Sequence, residues 1–262
     1  MCGWWRCLVV FAVLACVAGT AAGGVALASS AVVGSDAVVS TNWGGYAAVG
    51  GPGGAAVTFT SVGASWRQPA AQCAGGGNAA AAVWVGLGGY APGAQAVEQI
   101  GTDADCGSSG VPSYFAWYEL VPGPRVVLGL PIRPGDALAA SVSVHGAVVV
   151  LQLVNRSLNA VVRERVVASG LDLGSAEWIA EAPSSCLPSS CTALSLANFG
   201  AVSFTRVAAV GNGTAGTLTS PGWTTVPLRL ATAAAGAGTS APTPPSLDGR
   251  SFGISWLPAA TG

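Results

Sequence analysis

The chain has 262 residues, of which 8% are charged, with 38 glycines, 16 prolines and a net charge of −1. All ten basic residues are arginine. This balance excludes a basic surface for nucleic acid or an anionic membrane, and the length suits one large all-β domain as well as two small ones. Few ion pairs are available for acid to break, which fits tolerance of low pH.

The amino-terminus reads as an export signal. Arg6 precedes an apolar run from Leu8 to Val17, and Ala26-Leu27-Ala28 forms a cleavage site of small residues. Residues 1–28 are therefore expected to be removed, leaving a short segment over 29–40 and a single domain over 41–262. A retained membrane anchor over Leu8–Ala28 and a lipoprotein box at Val13–Cys16 are rival readings, and secretion is preferred. Few residues separate the cleavage site from Trp43, so no long pro-segment is expected. The mature chain keeps Cys73, Cys106, Cys186 and Cys191, which allow three pairings. Close spacing favours Cys186–Cys191 and leaves Cys73–Cys106. There is no Cys-x-x-Cys and only one histidine, His145, which argues against zinc.

Beyond the signal, short runs rich in Val, Thr and aromatics recur between Gly, Pro and Ser turns. Strands are expected at Ala55–Trp66, Ala80–Leu87, Pro112–Leu120, Ala137–His145, Ala147–Asn155, Val161–Ala168, Ala176–Glu181, Leu196–Val207 and Phe252–Trp256. His145-Gly146 marks a hairpin turn, and Ala231–Pro245 reads as a loop. No mature segment has a capped, charged, amphipathic helix. The pattern is that of an antiparallel two-sheet β-sandwich. Asn155-Arg156-Ser157 and Asn212-Gly213-Thr214 are glycosylation sequons, relevant only in a glycosylating host.

A single histidine removes most hydrolase plans. His145 sits at the expected turn, there is no Gly-x-Ser-x-Gly elbow, and the glycine clusters at Gly50–Gly54 and Gly75–Gly77 precede no helix. Carboxylates and amides must therefore carry any chemistry. Alternation puts Phe115, Trp117 and Glu119 on one strand face, and Glu177 and Glu181 on one face of another. Gln99 and Asp103 flank Gly101. Any one of these acids alone is most simply a solvated surface residue. Carboxylates beside tryptophans on a sheet face cost desolvation, so the set together reads as a cleft.

The same segments resemble the glutamic peptidases (eqolisins). The matching pieces, in the family's order, are Thr41-Asn42-Trp43-Gly44-Gly45-Tyr46, Thr58-Phe59-Thr60-Ser61-Val62, Val83-Trp84-Val85-Gly86-Leu87, Gln99-Ile100-Gly101-Thr102-Asp103, Ala116-Trp117-Tyr118-Glu119, Ala176-Glu177-Trp178-Ile179-Ala180-Glu181 and Asn198–Thr205. The closing Asp248–Trp256 also fits. The resemblance implies a lectin-like jelly roll with Gln99 and Glu177 as the catalytic pair. It places Trp43, Trp84, Asp103, Trp117, Glu119 and Glu181 around the cleft. Gly88 stands in a segment where relatives often carry Asp and Phe115 where some do, which leaves the pH optimum and subsites open.

The resulting expectation is a secreted, monomeric acid endopeptidase acting on polypeptides, with no cofactor, metal or nucleic-acid partner. Glu177 would be general base on a water, and the Gln99 amide would stabilise the oxyanion. Two alternatives stay open. One is a jelly-roll glycosidase pairing Glu119 with Glu177. The other is a non-catalytic lectin-like module binding carbohydrate.

Overall fold

The structure is a computed structural model, and it describes residues 37–73, 78–187, 190–231 and 238–259. The export signal, the anchor alternative and the Gly75–Gly77 cluster lie outside the described residues. In chain order the strands are β1 (Val38–Ser40), β2 (Trp43–Val49), β3 (Phe59–Arg67), β4 (Ala79–Leu87), β5 (Val97–Cys106), β6 (Pro112–Val121), β7 (Val126–Leu128), β8 (Ala137–His145), β9 (Val148–Asn155) and β10 (Ala160–Val167). They continue as β11 (Ala176–Glu181), β12 (Ser184–Leu187), β13 (Ser190–Ala193), β14 (Ser195–Leu196), β15 (Ala201–Gly211), β16 (Thr214–Gly216), β17 (Thr224–Leu230), β18 (Thr239–Pro242) and β19 (Ser251–Leu257).

Two layers follow from the pairings. The first runs β7-β6-β5-β4-β11-β2-β17-β1, and the second runs β10-β9-β8-β3-β15-β19-β18. A single β17–β18 pairing, Leu230 to Ser240, joins them at one edge. All pairs are antiparallel except β1–β17 and β14–β4. The all-β antiparallel sandwich anticipated from the period-two patterning is the fold observed.

Alternation within each strand builds the core. Tyr46, Trp178, Val85, Ile100 and Tyr118 are successive register partners on one face of the first sheet. They meet Phe59, Trp66, Phe204 and Phe252 of the second sheet in one apolar cluster. The Trp178 indole N–H donates to the Gly63 carbonyl at 3.1 Å and ties β11 to β3. Burying each such side chain contributes about 1.5–3 kcal/mol. Arg125–Asp103 is the only ion pair among the described residues, so apolar burial holds the fold.

Expected strands match closely at β8 and β11, and within a residue or two at β4, β6, β9 and β10. The β8–β9 turn falls on Gly146 and Ala147, one residue later than anticipated. Three differences have physical causes. The run expected from Leu196 to Val207 is broken before β15, where Gly200 takes φ 65° and donates its N–H to Asn198 Oδ1 at 2.9 Å. The expected loop Ala231–Pro245 contains β18, which uses its backbone to pair with β19. β17 was hidden by Pro227, a residue that weakens a strand reading.

Cys73 and Cys106 form a disulfide across a 33-residue separation. The β12–β13 ladder sets the Cys186 backbone opposite Cys191, and their side chains lie outside the described residues. The two sequons differ. Asn155 is fully buried; its amide N–H groups donate to Pro131 O at 3.0 Å and Asp136 Oδ2 at 2.7 Å. Asn212 is exposed.

Candidate active site

The other face of the first sheet carries the polar residues singled out above. Its central strand β4 lies between β11 and β5. Across this sheet Ala47, Glu177, Gly86, Gln99 and Glu119 are partners in one register row, so all five share a face. The next row is Ile179, Trp84, Gly101 and Trp117, and the third is Trp43, Glu181, Ala82, Asp103 and Phe115. The chain thus brings every anticipated site residue to one face.

Glu177 and Gln99 are two strand spacings apart, roughly 9–10 Å between backbones, and the residue between them is Gly86. A Cβ on Gly86 would sit 2.8 Å from Trp84 Cζ3 and 3.2 Å from Gln99 Cβ. Both Glu177 carboxyl oxygens and Gln99 Oε1 are buried without hydrogen-bond partners. The Gln99 amide donates one N–H to Glu119 Oε2 at 2.9 Å, leaving its second hydrogen free.

Glu181 anchors the wall. Its two oxygens accept from Trp84 Nε1 at 2.7 Å and Asn42 Nδ2 at 3.0 Å. Trp43 meets Trp84 edge-on, with ring centroids 5.0 Å apart. Trp84 is fully buried, so it supports the site from within the sheet face. Trp117, Gln99, Asp103, Glu119 and Glu181 line an open cleft of about 580 Å³. Arg125 closes one side, its guanidinium paired with Asp103 and stacked over Phe115 at 5.0 Å.

Burial dominates the electrostatics. It pushes the Glu177 carboxyl well above the usual range, helped by Asp172 and Glu98, while the nearby Ser175 hydroxyl partly offsets it. Burial drives Glu181 up to about 8 against the Trp84 and Asn42 donors. Asp103 rises to about 7 through burial and Asp105, against the pull of Arg125. Glu119 is raised by burial, with Arg125 and Gln99 pulling it down.

Four contributors were not anticipated. Gly86 lies inside a quoted segment, but only register shows it between the pair. Asn42 sits beside Trp43, and its amide reaches Glu181 only through the fold. Arg125 follows the Pro122-Gly123-Pro124 turn, and nothing local links it to Asp103. Glu98 faces the inter-sheet core between Leu87 and Leu120, where burial pushes it up to about 7.

The geometry disfavours the sugar-cleaving alternative. Glu119 and Glu177 are three strand spacings apart, roughly 14 Å between backbones, with Gln99 between them. A retaining pair needs its carboxyl groups about 5–5.5 Å apart, whereas here the Gln99 side chain stands between them and its amide binds Glu119 at 2.9 Å.

A family model for the peptidase A4 family matches residues 41–235. The chain belongs to that family, the glutamic peptidases. Among solved structures, this peptidase is similar to scytalido-glutamic peptidase with a transition-state analog inhibitor. Identity is 26%, coverage is 84% of this chain and 100% of the other, and the TM-score is 0.67. It is similar to SCP-B, an eqolisin family member in complex with the tripeptide Ala-Ile-His, at 25% identity, with 84% and 100% covered and a TM-score of 0.64. Aspergilloglutamic peptidase from Aspergillus niger shares the fold at 23% identity, with 68% and 99% covered and a TM-score of 0.56. No curated protein sequence matches the chain. The peptidase is thus a glutamic endopeptidase by family and by structural likeness.

Proposed function

We propose that the peptidase is a secreted, acid-acting endopeptidase in which Glu177 and Gln99 hydrolyse the peptide bond through a water held above Gly86. The observation that carries this reading is the row Glu177–Gly86–Gln99. Two long polar side chains face each other across the one position that lacks a side chain, and three of their oxygens lack partners. A water needs two to four polar partners, and these groups supply them.

Ionised Glu177 takes a proton from that water, whose oxygen attacks the scissile carbonyl. The free Gln99 N–H stabilises the oxyanion, an interaction typically worth about 10²–10³-fold in rate. Protonated Glu177 then donates to the leaving nitrogen. Glu119 holds the Gln99 amide in place through its 2.9 Å bond. A hydrogen bond from the bound water would favour the ionised form of Glu177 against its burial. The neighbours support the acid setting. Asp103 and Glu181 keep their protons up to about 7 and about 8. Above that range their charges crowd a site already short of donors. The tripeptide and inhibitor complexes of the structural relatives agree with a peptide substrate in this cleft.

The test is digestion of a denatured protein at pH 3–6 by wild type, Glu177→Gln and Gln99→Ala, each checked for folding. Both variants are expected to lose at least 10²-fold in kcat/KM while keeping the wild-type circular dichroism. Wild-type turnover by either would remove the dyad. Polysaccharide hydrolysis without peptide cleavage would restore the glycosidase reading.

A further inference from the structure

A second pocket, of about 510 Å³, opens on the second sheet among β3, β8 and β15. Three arginines line it: Arg67 at the end of β3, Arg156 in the β9–β10 turn and Arg206 in β15. All three are exposed, and none pairs with a carboxylate among the described residues. In a chain with only ten basic residues, three around one pocket are a concentration of positive charge.

The pocket has two further features. Arg206 has φ 54° and sits where the β15–β3 register shifts between Thr205 and Ala208. A left-handed backbone at a non-glycine residue costs about 1–3 kcal/mol and recurs at ligand sites. Behind the arginines lies Gln68, 2% exposed, whose side-chain oxygen and nitrogen both lack partners. The neighbouring Trp66 indole N–H lacks one too. Buried amides without partners are rare, and each costs about 1–3 kcal/mol. The nearby acid is already engaged: Asp136 Oδ2 accepts from Arg133 N at 2.9 Å and Asn155 Nδ2 at 2.7 Å.

Guanidinium groups bind carboxylates and phosphates through paired N–H groups. An amide with both ends unpaired matches a peptide group, which offers one donor and one acceptor. The two requirements together describe a peptide ending in a free carboxylate, which a peptidase releases at every turnover. We propose that this pocket, on the sheet opposite the cleft, binds the C-terminal carboxylate and last peptide group of a peptide. Its volume falls within the usual range for a small-ligand site.

The test is calorimetric titration of the Glu177→Gln protein at pH 5 with acetyl-Ala-Ala-Ala as free acid, as C-terminal amide, and with sodium sulfate. The terminal carboxyl is ionised there, since its ordinary pKa is about 3.3–3.7. The free acid should bind, and its amide at least tenfold more weakly. In the same background, Arg156→Gln and Arg206→Asn should each weaken the free acid about tenfold. Asn tolerates the left-handed backbone, and Arg156 lies in an exposed turn, so both variants should melt as the parent does. In the otherwise wild-type enzyme neither should change cleavage of a short blocked substrate. Equal binding of acid and amide, or acid binding that survives both arginine changes, would overturn the proposal. So would sulfate binding as tightly as the free acid, or no binding at all.

Discussion

Gly86→Ala puts one methyl group into the space between Glu177 and Gln99. The glycine has no left-handed backbone, so alanine adds no strain at φ. The new Cβ lands 2.8 Å from the Trp84 ring and 3.2 Å from Gln99 Cβ. Trp84 resists displacement, because it is fully buried and its N–H is held by Glu181 at 2.7 Å. Overpacking of this kind costs about 1–3 kcal/mol. For a domain of this size that lowers Tm by roughly 2–12 °C. Catalysis should suffer more. Misplacement of a reacting group by about 1 Å costs about 10²-fold, and the methyl also takes the position assigned to the water. Steady-state kinetics should show kcat/KM down at least 10²-fold, with most of the loss in kcat. Gly129→Ala is the control, because its Cβ meets nothing within 4 Å. A folded Gly86→Ala enzyme with wild-type kcat would refute the claim that the chemistry occurs above this residue.

Thermal stability should fall as pH rises from about 4 to about 8, the reverse of ordinary acid denaturation. Glu98 and Asp103, pushed up to about 7, and Glu181, at about 8, hold protons more tightly when folded than when unfolded. Their contribution is complete below about 4 and is lost as pH passes these values, which melts at each pH will read out. Arg125→Gln should lower Tm more at pH 8 than at pH 5, because Asp103 then ionises buried and without its cation. Cys73→Ser or Cys106→Ser opens a 33-residue loop and should cost about 3–4 kcal/mol in denaturant titrations, with the cleft face retained.

Much of the fold was legible because its strands alternate cleanly. Ala137–His145 and Ala176–Glu181 read correctly to the residue: the first alternates and ends at a turn, and the second sets Ala176, Trp178 and Ala180 toward the core with both glutamates on the other face. Pairing was less legible. Nothing within Val83–Leu87 says that β11 lies on one side of it and β5 on the other, and only that order puts Gly86 between Glu177 and Gln99. The site's acids were visible as charges in apolar strands. Glu98 escaped notice because its alternation points it at the core, where a charge is least expected. Arg125 escaped because its partner is 22 residues earlier, across a turn.

Strand β4, beneath the catalytic row, is paired by β5 along its length on one side and by β11 and then β14 on the other. Its backbone donors and acceptors are therefore consumed within the sheet. A substrate chain cannot extend that sheet by lying alongside β4 as an added strand, a capture mode that depends on an open edge. Alignment of a substrate over β4 then falls to the groups that line the cleft around it, such as Arg125. Recognition is thus a matter of individual pockets, so swapping a rim residue can redirect cleavage without touching the framework beneath.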